Sequence, residues 1–501
     1  MRQSGLLVHL TSLAGPEGIG TLGAPAREMA DFLHDADVRV WQMLPVGPTG
    51  FGASPYQSPS TYAGNPLLID LTALRDEGIL PKDANFAAEP APRVDFDAVE
   101  KTKTACLLRA YEASIGDLKS EVESFAARKA WVWPYAQYEA LKEAHGPFNT
   151  WPIAQRRYPT DHNAETAKEL ESLKDRVLYH AFVQYLFDRQ WTELREYAAK
   201  KELSLFGDIP IYVAPGSCDV WQSPQYFQVD ENLNPQRVAG VPPDYFSADG
   251  QLWGNPLYRW LRLWAHHYDW WIDRLRGISE RFDIIRIDHF IGFANYYSVA
   301  ADADNARHGK WVKNAGKLFF NEVSRQLPDM RIIAEDLGEV SPRVKKLLRE
   351  TGFPGMKVLV FGLDSDESNP HHPANITENT VAYTGTHDND TVLGWYNRID
   401  RKERQNAQNI LGMKPGDDIC NAMIRRVLSS PAFLAVIPMQ DWLCLDNESR
   451  MNYPGTVGGN NWRYRMMPGD LSAVLLKRIQ IMNHEYGRNR TWLSNRRTSS
   501  A

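Results

Sequence analysis

Asp283-Ile284-Ile285-Arg286-Ile287-Asp288-His289-Phe290 reads as a buried strand that ends in charge. Ile284, Ile285 and Ile287 form the kind of apolar run found in parallel sheets covered on both faces. Side chains alternate along a strand, so Arg286 and Asp288 project to one side, where a guanidinium keeps the neighbouring carboxylate ionised and restricts its position. A protein can hold a nucleophile in this way. An Arg/Asp pair at a strand end can equally do no more than tie two elements together, and this stretch alone does not separate the two readings.

Working outward, short apolar runs that end in polar or turn residues recur along the chain, at 6–13, 38–46, 203–213, 283–290, 330–338, 356–361, 380–390 and 433–443. Segments long enough for helices separate them, such as 26–36 and 257–281, which is the pattern of a parallel α/β architecture. Eight such units predict a (β/α)8 TIM barrel, whose site forms at the C-terminal ends of the strands. At 501 residues the chain is about twice the ~250 residues typical of that barrel. Two excursions account for most of the excess. The first, 48–202 after strand 2, is a loop rich in Ser, Pro and Gly at 54–71 followed by a mostly helical stretch with scattered Trp residues. The second, 239–256 after strand 3, carries Tyr245, Phe246 and Trp253 among glycines and prolines, and reads as a loop with aromatic tips that covers the site. No internal repeat or linker marks an independent second domain, so residues 1–501 are expected to form one elaborated barrel.

Composition narrows the class of function. A formal charge of -6, with no long basic run apart from the C-terminal arginines 488–497, argues against a nucleic-acid or anionic-membrane partner. No apolar run reaches membrane-spanning length. Cys106, Cys218, Cys420 and Cys444 lie far apart without metal-ligand spacing, and no signal-like segment opens the chain, so a reduced, cytoplasmic setting is expected. The 16 Trp and 21 Tyr residues either fill a core or offer stacking faces to flat ligands.

Three acids follow three strand candidates: Asp288, Glu335 and Asp388. Barrel closure aims all three into one pocket, where unpaired carboxylates repel and raise the pKa of at least one. A raised carboxyl can donate a proton near neutrality while an Arg-paired carboxylate stays ionised, and those are the two roles of a retaining glycosidase. Glu335 is then the acid/base and Asp288 the nucleophile, about 5 Å apart in that scheme. A metal-dependent barrel hydrolase is the rival from another class, with Asp288, His289, His387, Asp388 and Asp390 as possible ligands. It is disfavoured because the first strand offers only His9 and no Cys lies near the cluster. A non-catalytic carbohydrate-binding barrel would keep the aromatics without needing these acids.

The strings Arg286-Ile287-Asp288-His289-Phe290, Ala334-Glu335-Asp336-Leu337-Gly338 and Thr386-His387-Asp388-Asn389-Asp390 resemble the signature segments of the amylomaltases, also called disproportionating enzymes or 4-alpha-glucanotransferases. Stretches 54–71 and 240–256 are similar to that family's other marked segments, and the likeness extends to Asn460-Asn461-Trp462. The resemblance implies an amylase-like barrel without a separate C-terminal β-domain, needing no cofactor and no metal. It implies α-1,4-glucan donors, with glucose or maltodextrin as acceptors. It casts Asp288 as nucleophile, Glu335 as acid/base and Asp388 as the third acid. Arg286, His387 and Asp208 would hold the donor sugar and Tyr56 would stack on it; Tyr245, Phe246, Trp253, Asn255 and Asn461 are further expected substrate contacts. Where related amylases carry Asn-His after the third strand, Tyr212-Val213 stand here, which weakens a plain amylase reading.

Overall fold

The computed structural model describes residues 2–159, 164–243, 248–338, 340–364 and 366–489. Twelve strands are found among them: β1 (Gln3–Leu7), β2 (Val40–Gln42), β3 (Ser204–Pro210), β4 (Arg237–Val241), β5 (Gln251–Pro256), β6 (Ile284–Asp288), β7 (Asn295–Ala300), β8 (Lys310–Lys313), β9 (Ile332–Ala334), β10 (Gly355–Val358), β11 (Thr380–Tyr383) and β12 (Leu434–Pro438). Eight of these form one parallel sheet in the order β10-β11-β12-β1-β2-β3-β6-β9. Its two ends meet without a regular ladder. The Ala334 N–H donates to the Pro354 carbonyl (2.9 Å), and the Asp336 carboxylate accepts from the Met356 N–H (2.7 Å), completing a (β/α)8 barrel. All eight barrel strands fall within or against the apolar runs seen in the sequence; the first sits earlier than expected, with a 3-10 turn over Leu10–Ser12 taking up the rest of its run.

Helix α1 (Ala24–Asp35) shows why the outer layer forms. Ala26, Met29, Ala30 and Leu33 recur at helical spacing and are all buried, and Pro25 sits in the first turn, where its missing N–H costs nothing. Between β2 and β3 the chain builds α2 (Leu71–Asp76), α3 (Phe96–Arg128), α4 (Val132–His145), α5 (Ala164–Ser172) and α6 (Lys174–Lys200). Helix α6 is buried on the barrel side, and two of its glutamines pin the loop that follows β2. Gln184 accepts from the Gly64 N–H (2.7 Å) and donates to its carbonyl (3.0 Å), while Gln190 does the same for Asp70 (2.8 and 3.1 Å). A Cβ on Gly64 would stand 2.0 Å from the Phe187 ring, so only glycine permits this approach.

Three features differ from the sequence expectation. The covering segment 239–256 contains β4 and β5, which join β7 and β8 in an antiparallel sheet ordered β5-β4-β7-β8; its outer strands β5 and β8 are largely exposed and carry no compact apolar run. The helix expected over 257–281 is two helices, Trp260–Ala265 and Asp269–Ser279, broken where His267 and Tyr268 take left-handed backbone (φ 54° and 58°). The Asp269 carboxylate, in the first turn of the new helix, accepts from the Tyr226 hydroxyl and from the Trp270 N–H. The cysteines are not all unpaired: Cys420 and Cys444 form a disulfide, while Cys106 and Cys218 are buried free thiols. Among the described residues, no helix is long and apolar enough to cross a membrane.

Candidate active site

The barrel ladder itself sets the first charges. Asp208 on β3 and Arg286 on β6 are register partners, so their side chains emerge together. Arg286 pairs through one nitrogen with Asp208 and through Nη2 with Asp288 Oδ1 (2.8 Å). The Tyr56 hydroxyl donates to Asp208 Oδ2 at 2.6 Å. Burial alone would weaken the charge on Arg286, and the carboxylates of Asp208 and Asp288 more than reverse that. Asp208 Oδ1 and Arg286 Nε are buried with no hydrogen-bond partner among the described residues.

Asp288 ends β6, and the chain then turns sharply, with His289 at φ 51°. That turn aims the His289 N–H at Glu335 Oε2 (2.7 Å), while the Leu337 N–H donates to Oε1 (2.8 Å). Glu335 is thereby fixed one residue from the nucleophile candidate. Its carboxyl is pushed up to about 7 by burial, with Asp336 adding to the rise and Arg286 and the two N–H donors opposing it. Burial also pushes Asp288 up, reinforced by Asp208, Glu335 and Asp388 and opposed by Arg286. Of these two acids Asp288 is the one that touches the guanidinium, and its side chain keeps 29% of its exposure, both of which favour its carboxylate form over that of Glu335.

Asp388 arrives from the segment after β11. The Asn389 side chain accepts from Thr386 N–H and hydroxyl (2.8 and 2.9 Å), and the Thr386 hydroxyl accepts from the Asp388 N–H (3.3 Å), which folds the turn. A loop after β12 completes the support. Asn452 donates to Asp388 Oδ1 at 2.6 Å, and Arg450 donates to the Asp388 carbonyl (2.6 Å) while pairing with Asp390. His387 stands beside Asp388 (Nε2 to Oδ2, 3.4 Å) and lies parallel to Tyr56, with ring centroids 5.3 Å apart and planes within 10°. Trp462 leans on both rings at 5.7 and 6.1 Å.

The structure thus gathers Asp288, Glu335, Asp388, Arg286, Asp208, Tyr56 and His387 at the C-terminal face of the barrel. Trp253 joins them from β5, its ring edge-on to His289 at 4.8 Å. Asn255 is buried and donates to the Val213 carbonyl (2.8 Å), tying β5 to the segment after β3. Asn461 is buried within its own loop, accepting from the Tyr453 N–H (2.8 Å) and donating to Thr456. Tyr245 and Phe246 lie outside the described residues. Arg450, Asn452 and Trp462 were not foreseen. Trp462 stands in the quoted Asn460-Asn461-Trp462 string without a role drawn from it, and the signal for Arg450 and Asn452 is a Gly-rich, Pro-containing loop soon after the last strand, at the end of a barrel where sites form. Among the described residues, the His/Cys/Asp/Glu side chains close enough to share a metal are Asp418, Cys420 and Cys444, with both sulfurs in the disulfide; the five residues considered as ligands at the barrel mouth form no such group.

The family model described as 4-alpha-glucanotransferase matches residues 8–471. The 4-alpha-glucanotransferase of Synechocystis sp. is 44% identical, over 97% of this chain and 98% of its own. That of Thermus thermophilus is 42% identical, over 96% and 98%. Among solved structures, an amylomaltase from Streptococcus agalactiae in complex with acarbose superposes with a TM-score of 0.95 at 37% identity, covering 98% of this chain and 100% of that one.

Proposed function

The chain belongs to the 4-alpha-glucanotransferase family, glycoside hydrolase family 77, and from that premise we propose that Asp288 is the nucleophile, Glu335 the general acid/base and Asp388 the third acid of its reaction. The enzyme breaks an α-1,4 bond in a glucan and passes the glycosyl segment to the 4-hydroxyl of an acceptor, by double displacement with retention. In the first step Glu335 gives its proton to the glycosidic oxygen as the C1–O bond breaks, and the Asp288 carboxylate bonds to C1. The shortened glucan leaves with a new 4-hydroxyl. In the second step an acceptor 4-hydroxyl gives its proton to the Glu335 carboxylate, its oxygen bonds to C1, and Asp288 departs as the carboxylate.

One observation carries this assignment: Glu335, buried and held by the His289 and Leu337 N–H groups, sits beside Asp288, whose carboxylate is paired with Arg286. Tyr56 would cover one face of the donor ring, with Arg286, Asp208 and His387 around its hydroxyls and Asp388 gripping the distorted ring. Trp253, with Tyr245 and Phe246, would shield the intermediate and give an acceptor ring a surface for stacking. Asn255 and Asn461 serve the substrate through the segments they tie. Glucose and maltodextrins are the acceptors of this reading, and the cytoplasm is the expected setting. The test is maltotriose with EDTA and no phosphate, products resolved by chain length. Glucose plus a ladder of longer maltodextrins, lost in Asp288→Asn, supports the assignment. Glucose and maltose alone would mean hydrolysis, and activity only after metal is restored would favour the rival.

A further inference from the structure

His387, but not Tyr56, lines a small cavity of about 20 Å³. Its wall is drawn from segments distant in sequence, among them those that follow β1, β2, β11 and β12 and the one that carries Tyr464. Three side chains on that wall carry buried polar atoms with no hydrogen-bond partner among the described residues: His9 Nδ1, Ser12 Oγ and Tyr464 Oη. A buried orphan of this kind ordinarily costs about 1–3 kcal/mol, and three on residues that line one small space call for a common partner. The volume suits a single water, which needs two to four such partners.

The three atoms also divide the bonding in a workable way. Both hydroxyls can donate or accept, and His9 offers either role according to tautomer. Burial, with His387 nearby, pushes His9 down to about 3, so the ring is neutral and imposes no charge on the site. His9 follows β1 directly, and β1 is held on both sides in the barrel ladder. It is therefore a rigid point from which to set His387.

We propose that the cavity is a water site bound by His9 Nδ1, Ser12 Oγ and Tyr464 Oη, and that His9, fixed by this water, is a positioning residue for His387. The inference rests on the role given above to His387. With the ring held from the cavity, the parallel stack on Tyr56 and the contact to Asp388 are kept in register as the donor sugar distorts.

The experiment is a set of variants assayed for maltotriose disproportionation with kcat and KM separated, alongside thermal unfolding and a crystal structure at high resolution. His9→Phe, which keeps a ring and loses both nitrogens, is expected to lower kcat about tenfold with KM within about twofold and an unchanged Tm. His9→Asn, which returns a polar atom near the place of Nδ1, is expected to recover most of that loss, and Tyr464→Phe to reproduce part of it. The double variant His9→Phe with His387→Ala should be no slower than His387→Ala alone. The crystal structure should show one water touching the three atoms. The proposal is overturned by an unchanged kcat in His9→Phe, by a loss that follows Tm and is not recovered by Asn, by additive effects in the double variant, or by a dry cavity. A fully active His387→Ala would instead remove the role of His387 itself, and a wild-type enzyme that only hydrolyses would remove the transferase reading.

Discussion

Lys103 and Arg286 are both cations sealed inside the protein, at 1% and 3% exposure, each against a carboxylate. Around Lys103 the partners all come from the fold itself. Its ammonium donates to Glu17 and to the Ile69 carbonyl, and Glu17 also accepts from the N–H groups of Leu71 and Thr72 (3.0 and 3.1 Å). That pair joins α3 to the start of α2 and to the loop after β1, sealed away from any ligand. Around Arg286 the opposite holds. Asp208 Oδ1 and Arg286 Nε have no partner, Asp288 is open to solvent, and the charge is shared among three groups. Buried ion pairs seldom stabilise a fold more than apolar packing would, so an incomplete one signals a place kept for substrate, and a complete one signals a joint. Charge and burial alone do not tell the two apart; the open carboxylate of Asp288 and the unmet Oδ1 of Asp208 do.

The sharpest way to break this contrast is to remove the central carboxylate. Asp288→Asn is expected to lower kcat by about 10⁴-fold or more, with Tm within a few degrees of wild type, measured by product analysis and calorimetry. Next in size is Glu335→Gln, at about 10²–10⁴-fold in kcat. Its wild-type counterpart is a pH profile. Because the Glu335 proton is needed and its carboxyl is raised to about 7, kcat/KM should fall above pH 7, about tenfold per unit, and the fall should vanish in Glu335→Gln. At the joint, Lys103→Met should leave kcat per folded molecule near wild type while costing about 3–5 kcal/mol by denaturant titration, since it strands Glu17 uncompensated. Adding Glu17→Leu should restore much of that stability. The smallest effect expected is from Asn452→Ala, about tenfold in kcat through a loosened Asp388, with little change in stability. Should Lys103→Met abolish activity without unfolding the chain, the division into joint and site would fail.

The eight barrel strands were legible because each carries a compact apolar run, and the three acids were legible because each ends one. Asp208 and Arg286 were legible as charges but their pairing across β3 and β6 is a fact of register. What could not be read depends on contacts between distant segments. Arg450 and Asn452 reach Asp388 across more than sixty residues of chain, and no local pattern announces that. The antiparallel sheet β5-β4-β7-β8 is assembled from exposed strands such as Lys310–Lys313, whose sequence could serve a loop as well. Cys420 and Cys444 become partners only because the helix Ile419–Ser429 packs beside the turn after β12.

The position of β1 has a consequence for how the protein is made. This strand pairs on one side with β2 and on the other with β12, residue Gln3 against Leu434. On a ribosome the first strand synthesised must therefore wait for the last of the described strands, roughly 20 to 85 s at ordinary rates of chain elongation. Throughout that wait one edge of β1 has its backbone donors and acceptors unmet, the condition under which strands pair with the wrong chain. The barrel's most vulnerable edge in the nascent chain is thus the one that, once closed, carries His9 to the cavity lined by His387.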